Sequence, residues 1–155
     1  MKNLSIVICV SATLLLNVMW VSAQSSEGVH IVDLSQTEIR IFNKAKKLDT
    51  KAANLLLTDS LFVPHANFWS SYVGSKTEFL RWIRKSVYPN LKEMNRLNNR
   101  VNREAIVKKI AEADALQRPN VVYVVFGPGC TDVGKFTDGT AVIDLLHGQN
   151  ALSGL

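Results

Sequence analysis

The chain has 155 residues, a formal net charge of +5, 47% hydrophobic residues and 20% charged residues. These values are ordinary for a single globular domain with its own hydrophobic core, and they exclude a wholly disordered chain. With two cysteines in all, the sequence also excludes a small domain built on several disulfides.

The first 23 residues follow the pattern of a secretory signal peptide. Lys2 supplies a positive start, residues 4–16 form an apolar run, and Val21-Ser22-Ala23 offers small residues where signal peptidase cuts. The apolar run is shorter than the roughly 20 residues of a membrane-spanning helix, so a cleaved signal is favoured over an anchor. We therefore predict a secreted, extracellular protein whose mature part is one globular α+β domain, residues 24–155.

Cleavage after Ala23 leaves Cys130 as the single cysteine of the mature chain, because Cys9 lies in the signal. An internal disulfide cannot form, and packing alone must hold the fold together. Three roles for Cys130 stay open. An inert side chain is the simplest, an intermolecular disulfide would make a homodimer, and a reactive thiolate would be favoured by nearby Lys135.

Two Ser-x-x-Glu sequences predict helix starts, since this motif forms a capping box in which the Ser and Glu side chains bond each other's backbone N–H groups. The first, residues 35–38, opens a predicted helix that ends near Leu57. The second, residues 75–78, opens one that Tyr88-Pro89 closes. Between them, Pro64 predicts a break and a short helix that ends before Gly74.

Residues 90–117 predict one long amphipathic helix, because they contain neither Gly nor Pro and have apolar residues at helical spacing. Prolines 89 and 119 bracket the segment. Residues 76–118 hold eleven basic and five acidic residues. Four basic residues recur at spacings of four, four and three, which places them on one side of a helix: Lys92, Arg96, Arg100 and Arg103.

After Pro119 the pattern changes to that of strands. Residues 121–126 are β-branched or aromatic and uncharged, which predicts a strand buried on both faces. Asp138-Gly139 is a typical hairpin turn between residues 134–137 and 140–144. The predicted fold class is α+β, with three or four helices followed by a small C-terminal antiparallel β-sheet of two or three strands.

Gly129 to Lys135 matches the G-x-x-x-x-G-K pattern of a phosphate-binding loop. Phe136 stands where that loop needs a Ser or Thr for Mg²⁺, and Asp132 would oppose a phosphate. A glycine-rich turn is the better interpretation, and no cofactor is expected. The three histidines lack the spacing of metal ligands, so no metal site is expected either.

The basic residues Lys92, Arg96, Arg100 and Arg103 favour a non-enzymatic binding or effector protein, such as an extracellular ligand, a defence factor or a fluid factor. The expected partner is an unknown protein receptor or an anionic surface: glycosaminoglycan, lipid head group or nucleic acid. An ordinary solvated surface is the simpler interpretation. Aromatic residues between 68 and 88 fill the core or line a contact pocket.

The alternative is a small secreted basic hydrolase, such as a ribonuclease. Such an enzyme needs an acid and a base near the phosphate, and His65 and His147 are the candidates. A cation from the long helix would then stabilise the transition state. Three scattered histidines permit this arrangement in many sequences, so it is the second hypothesis.

Overall fold

The computed structural model describes residues 23–26, 28–112, 119–129, 133–136 and 138–146. Within these ranges, one sheet has the strand order β1-β2-β3-β5-β4. The strands are β1 (Ala23–Ser26), β2 (Val29–Asp33), β3 (Val121–Val125), β4 (Val133–Lys135) and β5 (Thr140–Asp144). The three central strands, β2, β3 and β5, are parallel, while β1 and β4 run antiparallel to their neighbours at the two edges.

The predicted C-terminal antiparallel sheet is therefore wrong. Its central strands are parallel, and β1 and β2 precede the helices. The chain leaves β2, forms all the described helices, and returns beside β2 as β3 in the same direction, which only a long crossover permits. Val122 and Val124 on one face of β3 are buried, as the uncharged sequence predicts for a strand inside a parallel sheet. On the other face Val125 is buried, while Val121 and Tyr123 are half-buried. The Asp138-Gly139 turn joins β4 to β5 as predicted, with Gly139 at φ +83°.

The helices lie between β2 and β3. They are α1 (Ser35–Ala45), α2 (Thr50–Leu57), α3 (Ala66–Tyr72), α4 (Lys76–Trp82), α5 (Tyr88–Asn98) and α6 (Arg103–Glu112). The predicted helix from residue 35 to Leu57 is two helices, because Asp49 caps a new start by accepting the N–H groups of Lys51 and Ala52. Helix α1 packs beside α5, where the Asn43 side chain donates to Asn95 Oδ1 at 2.9 Å.

Two wide π-helical segments, Thr58–Phe62 and Ile83–Val87, each precede a proline. Each segment ends two residues before its proline, Pro64 or Pro89, and closes with an N–H that reaches five residues back. These bonds are Val63 N–H to Thr58 O and Tyr88 N–H to Ile83 O. Proline lacks an N–H and its ring crowds the carbonyl four residues earlier, so a wider turn accommodates it. The chain stays helical through Pro89, so the helix end predicted there is wrong. The break predicted at Pro64 is confirmed, because Val63–His65 form a 3-10 turn and His65 has non-helical backbone angles before α3 begins.

The long helix predicted over residues 90–117 is also wrong. Helix α5 ends at Asn98, and α6 begins at Arg103 after a turn. Asn102 starts the new helix, since its Oδ1 accepts the N–H of Ala105 at 3.0 Å. Residues 113–117 of the predicted helix lie outside the described ranges.

The core lies between the sheet and the helices. Trp69, Phe79 and Trp82 are buried and contact one another, which confirms that most of the aromatic cluster fills the core. Phe68 on α3 stacks on Tyr123 of β3 with ring centroids 4.0 Å apart. Among the described residues, none of the helices has both the length and the apolar character needed to cross a membrane.

Candidate functional site

The carboxyl ends of the three parallel strands meet at one edge of the sheet, where ligand sites of open parallel sheets commonly lie. Asp33 is the last residue of β2, and Asp144 is the last residue of β5. Glu38 follows β2 in the first turn of α1. The segment after β3, residues 126–129, enters the same edge. Each of these acids has partners inside the protein.

Asp144 is fully buried and accepts four hydrogen bonds. Its Oδ1 accepts the N–H groups of Gly127 and Leu146, both at 3.0 Å. Its Oδ2 accepts the N–H of Gly129 at 2.7 Å and the hydroxyl of Tyr72 at 2.5 Å. A Cβ at Gly127 would lie 2.5 Å from Asp144 Oδ2, so glycine allows this close approach. Gly127 and Gly129, at the described start of the glycine-rich stretch, therefore donate to the Asp144 carboxylate.

Glu38 is fully buried, and its Oε2 accepts the Phe126 N–H at 2.7 Å. Its Oε1 has no hydrogen-bond partner among the described residues. Burial raises the pKa of Glu38 well above its ordinary value, and the neighbouring carboxylates of Asp144 and Asp33 raise it further, while the Phe126 bond opposes the shift. These effects favour the protonated form more strongly than in a solvent-exposed glutamate.

Arg103, one of the four predicted binding residues, belongs to an internal network. Its Nε donates to Asp33 Oδ2 at 2.9 Å, and its Nη2 donates to Ser35 Oγ at 2.9 Å and Asn98 Oδ1 at 2.6 Å. Asp33 Oδ1 also accepts the hydroxyl of Ser35 at 2.6 Å. A quarter of the Arg103 side chain is exposed. This arginine ties the start of α6 to the end of β2.

The other three predicted binding residues are exposed on α5 and in the turn after it: Lys92, Arg96 and Arg100. We call them the α5 cations. Arg96 pairs with Glu93 one turn earlier, with Nε 2.7 Å from Oε2. This pair raises the pKa of Arg96 and lowers that of Glu93. The predicted stripe of four thus presents three cations to solvent, while the turn between the helices separates Arg103 from them.

A groove of about 290 Å³ lies between α4, the end of α3 and the segment after β3. Tyr72, Trp82 and Pro128 give it apolar walls, and the exposed side chains of Arg81 and Lys85 line it. We call Arg81 and Lys85 the groove cations. Sequence reasoning did not assign these two residues to a site. The sequence signal for this site was that Arg81 and Lys85 lie four residues apart, on either side of Trp82 in the chain.

Glu78 also lines the groove, but its carboxylate is occupied at the start of α4. It accepts the Ser75 N–H at 2.7 Å and the Ser75 hydroxyl at 2.8 Å. These two bonds, together with Arg81, lower the pKa of Glu78. Arg81 and Lys85 outnumber this one carboxylate, so the side chains that line the groove carry a net positive charge.

Of the two histidines proposed as acid and base, His65 lies in the described part of the chain. It is half-buried against Tyr123, with Nδ1 3.5 Å from the tyrosine hydroxyl, and burial lowers the pKa of His65. His147 and Cys130 lie outside the described residues, so the hydrolase and the intermolecular disulfide stay predictions. The described residues contain no group of three side chains suited to a metal ion.

No protein-family model, curated protein or solved structure matches this chain. The buried acids have internal partners, whereas the cations of the groove and of α5 are exposed. The exposed cations are the better candidates for contact with another molecule.

Proposed function

We propose that the protein is a secreted, non-enzymatic binding protein that holds an extracellular polyanion through the α5 cations. The observation that carries the proposal is the exposure of Lys92, Arg96 and Arg100 in a segment with a strong positive excess. Residues 76–103 hold eight basic and two acidic residues. Of these two acids, Glu78 accepts two bonds from Ser75 and Glu93 pairs with Arg96.

Charge of this kind attracts sulfate, phosphate and carboxylate groups, and the attraction weakens with salt. A charge cluster on a helix surface needs no enclosed pocket to bind a long, repeating polyanion.

Heparin affinity chromatography of the mature chain tests the proposal. The triple variant Lys92→Gln, Arg96→Gln, Arg100→Gln is expected to elute at clearly lower salt than the parent. The matched control is Lys44→Gln, Lys47→Gln, Lys51→Gln, which removes the same charge from exposed residues of the α1–α2 region. Equal elution of the two variants would show that net charge alone governs binding, and the α5 cations would then not be a site.

Export is the other part of the proposal. Residues 1–22 lie outside the described ranges, and β1 begins at Ala23, the residue before the predicted cleavage point. Cleavage would leave residues 24–26 of that strand in the mature chain. The chain is expressed in a secreting cell, and the protein recovered from the medium is sequenced from its N-terminus. Gln24 should be its first residue. Retention of the intact chain in the cell pellet would contradict export.

A further inference from the structure

We infer that the groove beside α4 receives one aromatic side chain from an acidic peptide segment of a partner protein. The inference rests on the proposed function, because it names the kind of partner and adds a second contact for it. The groove cations, rather than the α5 cations, make this contact.

The walls of the groove suit an aromatic ring. The groove presents part of the half-buried Tyr72 ring, a small part of the Trp82 ring, which is 8% exposed, and the half-buried Pro128. The volume of about 290 Å³ is at the lower limit of small-molecule pockets, about 300 Å³, which favours a single side chain over a cofactor or metabolite. Aromatic rings bury a large area and pack well against other rings.

Charge selects an acidic segment around that ring. Arg81 and Lys85 line the groove four residues apart, and the one acid that lines it, Glu78, accepts two bonds from Ser75. Carboxylates before and after the inserted ring would lie near the two cations. A basic segment would meet two like charges and is disfavoured.

The groove is held in shape before any ligand binds. Asp144 binds the Tyr72 hydroxyl on one wall and the N–H groups of Gly127 and Gly129, which flank Pro128, on the other. Trp82 packs against Trp69 and Phe79. A preformed groove loses little conformational freedom on binding, which favours affinity.

An acidic peptide fits these walls better than a sulfated polysaccharide does. A polysaccharide satisfies the cations, but it offers no aromatic ring to the apolar walls. The distinction can be measured, because a peptide partner must show an affinity that depends on its aromatic residue.

Fluorescence anisotropy with two labelled peptides tests the inference. The probes are acetyl-Glu-Glu-Glu-Tyr-Glu-Glu-Glu-amide and the same sequence with alanine in place of tyrosine. The tyrosine probe is expected to bind at least about fivefold more tightly, as is typical for a buried aromatic contact. The double variant Arg81→Gln, Lys85→Gln should bind the tyrosine probe about tenfold more weakly, since two charge contacts are lost.

Pro128→Glu places a carboxylate in the groove and should remove the preference for tyrosine. Asn67→Glu is the matched control, because it adds the same charge at an exposed position of α3, and it should keep that preference. Urea unfolding of each variant confirms that the fold is retained. Equal affinity for the tyrosine and alanine probes in the parent protein would overturn the inference.

The outcomes separate this inference from the proposed function. If heparin binds through the α5 cations while neither peptide binds, the groove contact is wrong and the proposed function stands. If heparin binding is lost with the groove cations and the peptides are not discriminated, the groove is a polysaccharide site and the inference is again wrong. If neither heparin nor peptide binds the parent, both proposals fail.

Discussion

The two Ser-x-x-Glu segments differ at one position, Gln36 against Lys76, and both start a helix, yet their Ser and Glu side chains bind different partners. At residues 75–78 the capping box forms: the Ser75 hydroxyl accepts the Glu78 N–H, and the Glu78 carboxylate accepts the Ser75 N–H. At residues 35–38 it does not. Ser35 is already the first helical residue, the Glu38 N–H bonds to Leu34 O, and the Glu38 carboxyl is buried on Phe126.

Tertiary partners explain the difference. Asp33 takes both the N–H and the hydroxyl of Ser35, and Arg103 donates to the same hydroxyl. The partner of Glu38 is Phe126, which follows β3 and lies 88 residues later in the chain. The two glutamates therefore shift in opposite directions: burial raises the pKa of Glu38, while bonds from Ser75 lower the pKa of Glu78. A local motif predicts structure where no distant group competes for its side chains.

Glu38→Ala should give the largest effect in this comparison. The change removes the bond to the Phe126 N–H and leaves a cavity in a fully buried site. We expect the free energy of unfolding to fall by about 2–4 kcal/mol. Urea unfolding followed by circular dichroism measures it, with the exposed Glu78→Ala as the control. A loss no greater than that of the control would mean that Glu38 does not anchor the segment after β3.

Arg103→Ala should cause the second-largest loss of stability. Asp33 and Ser35 lose their shared donor, and Asn98 loses its contact with the start of α6. For this mostly buried network we expect a loss of about 1–3 kcal/mol in unfolding free energy. The same urea experiment on Arg100→Ala, an exposed residue three positions earlier, should show little change. Similar losses for both arginines would contradict the internal role of Arg103.

Ser75→Ala should cost about 0.5–2 kcal/mol, the usual loss when an N-cap is removed. The hydroxyl of Ser75 accepts the Glu78 N–H and donates to its carboxylate, and both bonds disappear. The stabilising part that comes from ionised Glu78 is present above the ordinary pKa of 4.5 and is lost as pH falls through its lowered pKa. The difference in thermal stability between parent and variant should therefore narrow at acidic pH, and the part that comes from the bond of the Ser75 hydroxyl to the Glu78 N–H should remain.

Glu38→Gln should have the smallest effect, because the amide keeps an acceptor for the Phe126 N–H and nearly the same shape. The native state holds the Glu38 proton to higher pH than the unfolded chain does, so this group lowers stability as pH rises above 4.5. The variant lacks that decline. Unfolding free energies from pH 5 to 9 should thus fall more steeply for the parent. If the unfolding free energies of parent and variant change in parallel with pH, then the pKa of Glu38 is not raised in the folded protein.

Several elements could be predicted from the sequence because their causes are local. The uncharged run at residues 121–125, the Asp138-Gly139 turn and the cap at Ser75 each depend on neighbours within a few positions. The burial of Trp69 and Trp82 follows from their size alone.

The remaining features depend on distant contacts. Strand direction in the sheet follows from where the long crossover returns, and a short segment such as Val29–Val32 carries little signal of its own. The inward position of Arg103 requires Asp33, seventy residues earlier. The groove joins α4 to Pro128 across the fold, so no single stretch of sequence contains it. Spacing predicted four cations on one side of a helix, but it could not show that the fold uses Arg103 internally.

The π-helical segment Ile83–Val87 also decides how the positive charges are oriented. Arg81, Lys85, Lys92 and Arg96 are spaced by four, seven and four residues, which would align them along one side of a regular rod. A π turn contains one more residue than an α turn, so it rotates everything after it by about 100° about the axis. We therefore expect Arg81 and the α5 cations to lie on different sides of the helix, so that the two proposed contacts would not form one continuous strip of positive charge.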